Sequence, residues 1–312
     1  MTTANLSVVD AGKHTSLQDH GRFGYLRQGI SASGPMDRFA FEIANRALGN
    51  PVNTPTIEIS IAGISLLCTK GKITFAVAGG DFQVTCGNRR LDPWCIATLS
   101  EGEVLTIRKG RWGSWCYLSF AGNIIGDRWL GSFSTHTPSG LGGKKIAAGT
   151  NVEIVQAEQL PQRHATLTCP ISARPKSCIR VVMGPKTRFF SADIVSSFLS
   201  SSFALTDAYD RMGVRLSGPT LMPSGALDMP SEAIVRGAIQ VAGDGVATVL
   251  LADHQTTGGY PKIATVVPED LNRFVQLRSH DQITFEAISP AAAVAAARTR
   301  ARTRATYLSR FL

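Results

Sequence analysis

Apolar and polar residues alternate through much of the first half of the chain: Ile57, Ile59 and Ile61 in TIEISI, then KITFAVA, VLTIR and SWCYLSF. A period of two, bounded by Gly, Asn or Asp, predicts short strands. One segment keeps another rhythm. Met36, Phe39, Ala40, Ile43, Ala44, Ala47 and Leu48 recur at steps of three and four and so share one helical face. Gly34-Pro35 suits a helix start, with Pro35 at the first helical position and Asp37 at the third, and Gly49-Asn50-Pro51 ends the helix.

The second half repeats this grammar. CIRVVM, GVRLS, AIVRGAIQVA, ATVLLAD, KIATVV and QITFEAI read as strands, and ADIVSSFLS reads as a short helix. Between about 157 and 178 the chain is polar, proline-punctuated and without period, as a linker would be. The pattern predicts a mainly β protein of two closed β-barrels with a few short helices, because closure removes exposed strand edges. Residues 1–165 and 166–290 form the two barrels, and 291–312 form an Arg/Ala-rich tail or helix.

Composition sharpens this picture in a few places. In 312 residues, 44% hydrophobic content supports a core in each half, and 30 glycines and 15 prolines supply the turns of a strand-rich chain. The net charge of +9 raises the question of an acidic partner, but Arg298, Arg300, Arg302, Arg304 and Arg310 carry five of those charges in the last 22 residues. They fall around a helix without forming a stripe, and no basic stretch is interleaved with aromatics, so nucleic-acid binding is not expected. No apolar run spans a membrane and the N-terminus lacks the blocks of a signal peptide, so a cytoplasmic protein without membrane contact is expected. Cys68, Cys86, Cys95, Cys116, Cys169 and Cys178 never reach metal-ligand spacing, and four of them sit in apolar runs as small core residues. No metal site is expected.

Familiar catalytic signatures fail in turn: there is no HExxH, no GxSxG and no GxGxxG after a strand. GLGGKK, Gly140 to Lys145, has Pro138 where a phosphate loop needs its first glycine and reads as a turn. What remains are polar, glycine-rich segments richer than a turn requires. The densest runs Asp253-His254-Gln255-Thr256-Thr257-Gly258-Gly259-Tyr260-Pro261-Lys262, leaving one strand and entering another. It offers an acid, an imidazole, an amide, two hydroxyls and a cation, with two glycines that let a ligand approach the backbone, or else it is a wide turn. A second segment joins Ser16–Tyr25 to Ser33-Gly34-Pro35-Met36-Asp37-Arg38, where the helix N-terminus and Arg22 or Arg38 could hold an anion. Asp37 could equally favour the positive helix end, and Arg38 could pair with Glu42. A third cluster is Asp210-Arg211-Met212-Gly213, with Ser231-Glu232 further on. His14, His136, His164 and His280 have no partners at ligand spacing.

These segments carry a family likeness. SLQDHGRFGYLRQGISASGPMDRFAFEIANRALGN, DRMGVRLSGP, SEAIVRGAIQVAGDG and LLADHQTTGGYPKIATVVPEDL follow one another in an order that resembles the biotin-dependent carboxyltransferase family over about residues 5–288. That family includes the C subunit of the bacterial ATP-dependent 5-oxoprolinase, the Kip antagonist proteins and the urea carboxylase region labelled allophanate hydrolase subunit 2. The resemblance implies two cyclophilin-like β-barrel subdomains and an enzyme that works within a multi-subunit complex. Its leading implication is a C subunit acting with a Kip-inhibitor-like B subunit and with an A subunit, using ATP with Mg to open the lactam of 5-oxo-L-proline to L-glutamate. It also admits transfer of a carboxyl group to urea or a related amide from carboxybiotin carried on another protein, or a Kip-antagonist role as a regulatory binding module.

Carried over position by position, the resemblance names Lys262, Asp253 and Tyr260 as catalytic. Lys262 would neutralise an oxyanion or transferred anionic group, and Asp253 would orient it or accept a proton. Gln255, Thr256, Thr257, Gly258 and Gly259 would line the substrate, together with Ser33, Gly34, Met36, Asp37 and Arg38 from SGxMDR and Arg211 and Met212 from DRMG. Two departures stand out: Phe23 occupies a position where family members commonly have Pro, and His254 one where they commonly have Arg, which puts an anion-binding role of position 254 in doubt.

Overall fold

The alternating segments form strands, with others between them that the pattern did not single out. The computed structural model describes residues 2–224 and 229–311. Contacts gather into two units, one of residues 1–22, 33–174 and 306–312, the other of residues 23–32 and 175–305.

In the first unit the described strands are β1 (Thr3–Ala11), β2 (Ser16–Gln18), β3 (Thr56–Ser60), β4 (Ile64–Lys70), β5 (Lys72–Ala78), β6 (Gln83–Cys86), β7 (Arg89–Leu91), β8 (Cys95–Ser100), β9 (Val104–Arg108), β10 (Trp115–Phe120), β11 (Asn123–Ile124), β12 (Asn151–Val155) and β13 (Ala165–Thr166). They build two sheets, ordered β11-β12-β1-β4-β9-β6-β7 and β13-β8-β5-β10-β3-β2. The closed barrel expected of this half is therefore not what forms. The outermost strands, β7, β11, β13 and β2, are only two or three residues long, and β7 presents exposed Arg89 and Arg90. Short, charged edges resist further pairing, so the sheets need not close on themselves. One apolar core draws on both sheets, with Leu6 and Val8 of β1 and Ile64 and Leu66 of β4 alongside Ile57 and Ile59 of β3 and Phe75 and Val77 of β5. Cys68, Cys86, Cys95 and Cys116 are buried free thiols, as their apolar surroundings suggested.

The helical rhythm gives α1 (Arg38–Ala47), starting later than read from Pro35. Asp37 is its N-cap, not its third residue: extended backbone lets the carboxylate accept hydrogen bonds from the amides of Phe39 at 3.0 Å and Ala40 at 3.1 Å. The segment read as a linker carries short 3-10 turns at Pro161–Arg163 and Ile171–Ala173 and buries Leu167 and Ala173.

The second unit holds β14 (Cys178–Met183), α2 (Ala192–Ser200), β15 (Phe203–Tyr209), β16 (Gly213–Ser217), β17 (Glu232–Ala233), β18 (Ala238–Val241), β19 (Ala247–Leu250), β20 (Thr257–Gly258), β21 (Lys262–Val266), α3 (Pro268–Phe274) and β22 (Gln282–Ala287). Here a barrel does close, in the order β14-β21-β18-β19-β16-β15-β22, and the parallel pairing of β14 with β22 completes the ring. Alternate residues such as Ile179 and Val181, Phe203 and Leu205, Val214 and Leu216, and Ile283 and Phe285 are buried, as a filled barrel requires. AIVRGAIQVA is not one strand. Gly237 takes φ 89° and breaks it, so that β17 leaves the barrel to pair with β20. The last helix, α4 (Pro290–Leu308), starts in this unit. Its Tyr307 groups with the first unit, where the ring meets Phe39 edge-on at 5.9 Å and the hydroxyl donates to the Thr168 carbonyl at 2.5 Å. No helix among the described residues is long and apolar enough to cross a membrane.

Phe198 of α2 stacks on Phe285 at 4.6 Å and tilts against Phe203 at 6.0 Å, entirely out of water. Phe198→Ala is expected to cost about 3–5 kcal/mol through lost burial and the cavity left behind; chemical denaturation monitored in the second unit measures it.

Candidate functional site

The predicted residues fall into two groups, one on each unit. In the first unit, Ser33 and Gly34 both take left-handed backbone, at φ 54° and 85°. A Cβ on Gly34 would lie 2.7 Å from the His20 carbonyl oxygen, so only glycine fits this approach. Buried polar groups hold the turn in place. The Arg22 guanidinium donates to the Ser33 hydroxyl at 3.1 Å and to the Ser134 carbonyl, and lies over the Trp129 ring. Glu58 of β3, wholly buried, accepts from the Met36 amide and from the Tyr117 hydroxyl, each at 2.7 Å, while that hydroxyl accepts from the Asp37 amide at 2.7 Å. Glu58 and Tyr117 face each other across β3 and β10. Burial, reinforced by the Glu58 charge, pushes the Tyr117 hydroxyl well above its ordinary pKa, so it remains a donor to that carboxylate. Arg22 is thus a structural brace, and Asp37 caps the amides that an anion would have used. Met36 is buried, and Arg38, which opens α1, is exposed. Asp19 supports the same region: its carboxylate accepts from the hydroxyls of Ser132 at 2.5 Å and Ser134 at 2.7 Å and from the Phe133 amide at 2.8 Å. GLGGKK is a packed turn here, with a Cβ at Gly142 or Gly143 running into the carbonyls of Ser134 or Phe133.

The second group surrounds the segment from Asp253 to Lys262. Arg211 and Asp253 are 1% and 0% exposed and form a two-pronged pair, with Nε on Oδ2 and Nη2 on Oδ1, both at 3.0 Å. The Asp253 amide donates to the Arg211 carbonyl at 2.8 Å and the Leu251 amide to the Met212 carbonyl at 2.9 Å. Asp210 closes the same turn by accepting from the amides of Met212 and Gly213. The DRMG turn and the start of the 253–262 segment are therefore one braced piece, with Met212 partly exposed at its surface. Ser31 also donates to the Ala252 carbonyl, at 3.2 Å.

Lys262, at the start of β21, forms an ion pair with Glu232, whose other oxygen lies 3.4 Å from Lys186. Contact with the Lys262 ammonium, joined by the Lys186 charge, holds the Glu232 carboxyl below its usual range. Among the described residues, Lys186, Lys262 and Glu232 together carry a single net positive charge. Next to it, the Gln255 side-chain amide donates to the Gln240 side-chain oxygen at 3.2 Å. Gly258 packs so tightly that a Cβ would come 2.6 Å from Ile234 and 3.0 Å from the Gln240 amide nitrogen. Thr257 and Gly258 pair with Ala233 and Glu232, which fixes the segment over β17. Tyr260 stands about half exposed, and Thr256 supports the loop through its carbonyl, which accepts from the Ile234 amide at 3.0 Å. His254 is buried, its Nδ1 2.6 Å from the Gln255 carbonyl, and burial lowers its pKa from the ordinary 6.5.

The arrangement brings a cation and two side-chain amides to a loop braced by the Arg211–Asp253 pair. It can neutralise and orient an oxygen that gains negative charge. Sequence reasoning missed Lys186, Gln240, Glu58 and Tyr117 because no spacing links them to the motifs, although Glu232 lay in a segment already set apart.

Residues 28–287 match the family "Carboxyltransferase domain, subdomain A and B". This chain belongs to that family. It is 31% identical to the 5-oxoprolinase C subunit of Haemophilus influenzae, over 91% of each chain. Its fold resembles the crystal structure of the K. lactis urea amidolyase with a TM-score of 0.87 and 26% identity, over the whole of this chain and 20% of that one. It also resembles the crystal structure of TTHA0988, with a TM-score of 0.81 and 28% identity, over 91% of this chain and 56% of that one. The carboxyltransferase-domain chain thus spans nearly all of the Haemophilus influenzae relative, about half of TTHA0988 and a fifth of the urea amidolyase.

Two tests probe how the loop is held. Arg211→Ala leaves Asp253 buried without its partner and is expected to cost about 3–5 kcal/mol, whereas an apolar pair, Arg211→Met with Asp253→Leu, should recover most of it; denaturant midpoints give both values. His254 resists protonation when folded. Above pH 6.5 it is neutral in both states, and as pH falls below 6.5 the unfolded chain takes up a proton that the folded chain refuses, so stability drops until the lowered pKa is passed. His254→Gln should show a shallower loss between pH 7 and pH 5 than the unsubstituted protein in parallel denaturant titrations.

Proposed function

We propose that this chain is the C subunit of an ATP-dependent 5-oxoprolinase, which opens 5-oxo-L-proline to L-glutamate together with its A and B subunits. The observation that carries this reading is the 31% identity to the Haemophilus influenzae 5-oxoprolinase C subunit over 91% of this chain. Lactam opening places negative charge on the substrate carbonyl oxygen, and the single net positive charge of Lys186, Lys262 and Glu232 suits that demand. MgATP, entering at the level of the complex, supplies the driving force for the ring opening.

Within this chain, Lys262 neutralises the oxygen, and Glu232 keeps its ammonium in place. Gln255 and the 256–259 backbone line the substrate, and Tyr260 offers a phenol at the exposed side. Asp253 acts as a positioning residue, since both of its oxygens accept from Arg211 and so hold the start of the loop. Met212, at the surface of the turn that Arg211 and Asp253 brace, completes the lining on this unit.

A second reading draws on the similarity to the K. lactis urea amidolyase over the whole of this chain. In it the same residues steady a urea-like amide that receives a carboxyl group from carboxybiotin carried on another protein.

Lys262→Ala in the complex co-expressed with its A and B subunits is expected to lower 5-oxoproline-dependent ADP release about 10²–10³-fold, as loss of an oxyanion-stabilising group does, without unfolding the chain. Undiminished turnover would remove Lys262 from the site. A folded wild-type complex that ignores 5-oxoproline but consumes carboxybiotin with urea would favour the second reading.

A further inference from the structure

The pairing of β18 with β21 contains an irregularity at the candidate site. Ala238 opposes Thr265 and Ile239 opposes Ala264, so a regular antiparallel ladder would set Gln240 against Ile263 and Lys262 against Val241. Instead the register shifts after Ile239 and Gln240 opposes Lys262, while the Val241 amide donates to the Pro261 carbonyl at 3.0 Å. A bulge of this kind adds one residue to one strand and re-aims its side chains. Directly opposed residues of an antiparallel pair project to the same face with Cβ atoms about 5 Å apart. The bulge therefore pairs an amide with an ammonium that regular alternation would have kept apart.

Gln240 is 5% exposed, and its amide is oriented by Gln255, which occupies the Oε1 atom. Among the described residues, its Nε2 has no hydrogen-bond partner although it is out of water. Leaving such a donor unpaired is costly, and a folded chain rarely does so without a reason. The neighbouring Lys262 ammonium is also buried, with Glu232 as its ion-pair partner and no hydrogen bond of regular geometry. Gly258 lies against Gln240 Nε2 so closely that a Cβ there would stand 3.0 Å from it. With no side chain at 258, only the backbone of that residue lies against the nitrogen.

We infer that Gln240 is a substrate-binding residue, and that its Nε2 donates to the amide or lactam oxygen whose charge Lys262 neutralises. This rests on the proposed function for the identity of the substrate, but the donor pair itself follows from the bulge. The ligand class is a small molecule with a carbonyl flanked by nitrogen. Gln240 selects it by a directed N–H, and Lys262 by charge.

The test uses the full chain in its complex with the A and B subunits, with Gln240→Glu and Gln240→Leu. Gln240→Leu removes the donor without adding charge, and Gln240→Glu keeps the acceptor that Gln255 uses while replacing the donor by a carboxylate beside Lys262. With 5-oxo-L-proline as probe, both variants should fold cooperatively and raise KM for the lactam about tenfold or more, the loss of one substrate hydrogen bond, with KM for ATP unchanged. A purely structural amide would leave the folded Gln240→Leu variant active, and wild-type-like KM and kcat in that variant would overturn the inference. If wild-type complex ignores 5-oxoproline and carboxylates urea, the proposed function falls while Gln240 is read from KM for urea in the same two variants. If neither probe is turned over, calorimetric titration of each into the wild-type complex decides: binding that both variants weaken supports the donor pair, and no binding at millimolar concentration overturns it together with the proposed function.

Discussion

The two-pronged pair of Arg211 and Asp253 is the contact on which the candidate site depends. Both groups are removed from water, and the two-pronged geometry lets each carry its charge at that depth. Such a pair adds little net stability, because desolvation offsets most of the attraction. What it supplies is position. It ties the turn after β15 to the end of β19, and the 253–262 segment starts from that anchored point.

From this anchor the segment returns to the barrel through Thr257 and Gly258 on β17 and reaches Lys262 at the head of β21. The candidate residues are thus mounted on strands at both ends and not on a free loop. Three interactions tune it: Glu232 divides its carboxylate between two lysines, Gln255 fixes the Gln240 amide, and the bulge in the β18–β21 ladder sets that amide opposite Lys262. The constraint is steric as well as electrostatic, since Gly258 leaves no room for a side chain beside Gln240.

The first unit solves a similar problem differently. Its SGPMDR turn needs two successive left-handed residues, and the strain is absorbed by Glu58, Tyr117 and Arg22, all buried in hydrogen bonds to the turn. Asp37 then commits its carboxylate to the start of α1. Polar residues that looked ready to bind an anion in fact hold the backbone in shape.

Local order was legible in the sequence because it depends on neighbours in the chain. Period-two alternation specified strands, the three-and-four rhythm specified α1, and the glycine-rich polar string from Asp253 to Lys262 marked the loop by a composition that turns alone do not need. What the sequence could not specify was set by contacts between distant positions. Whether a sheet closes depends on its edges, so alternation in both halves gave one barrel and one pair of open sheets. Whether a polar residue is a ligand or a brace depends on what lies across the fold from it: Arg211 meets Asp253 42 positions away, Tyr117 meets Glu58 59 positions away, and Gln240 meets Lys262 only through a bulge. By itself the sequence determined many of the strands, the rhythm of α1 and the 253–262 loop, because those preferences act over a few residues. The tertiary structure alone decided which side chains face one another, because burial and charge pairing act across the fold, where spacing along the chain carries no information.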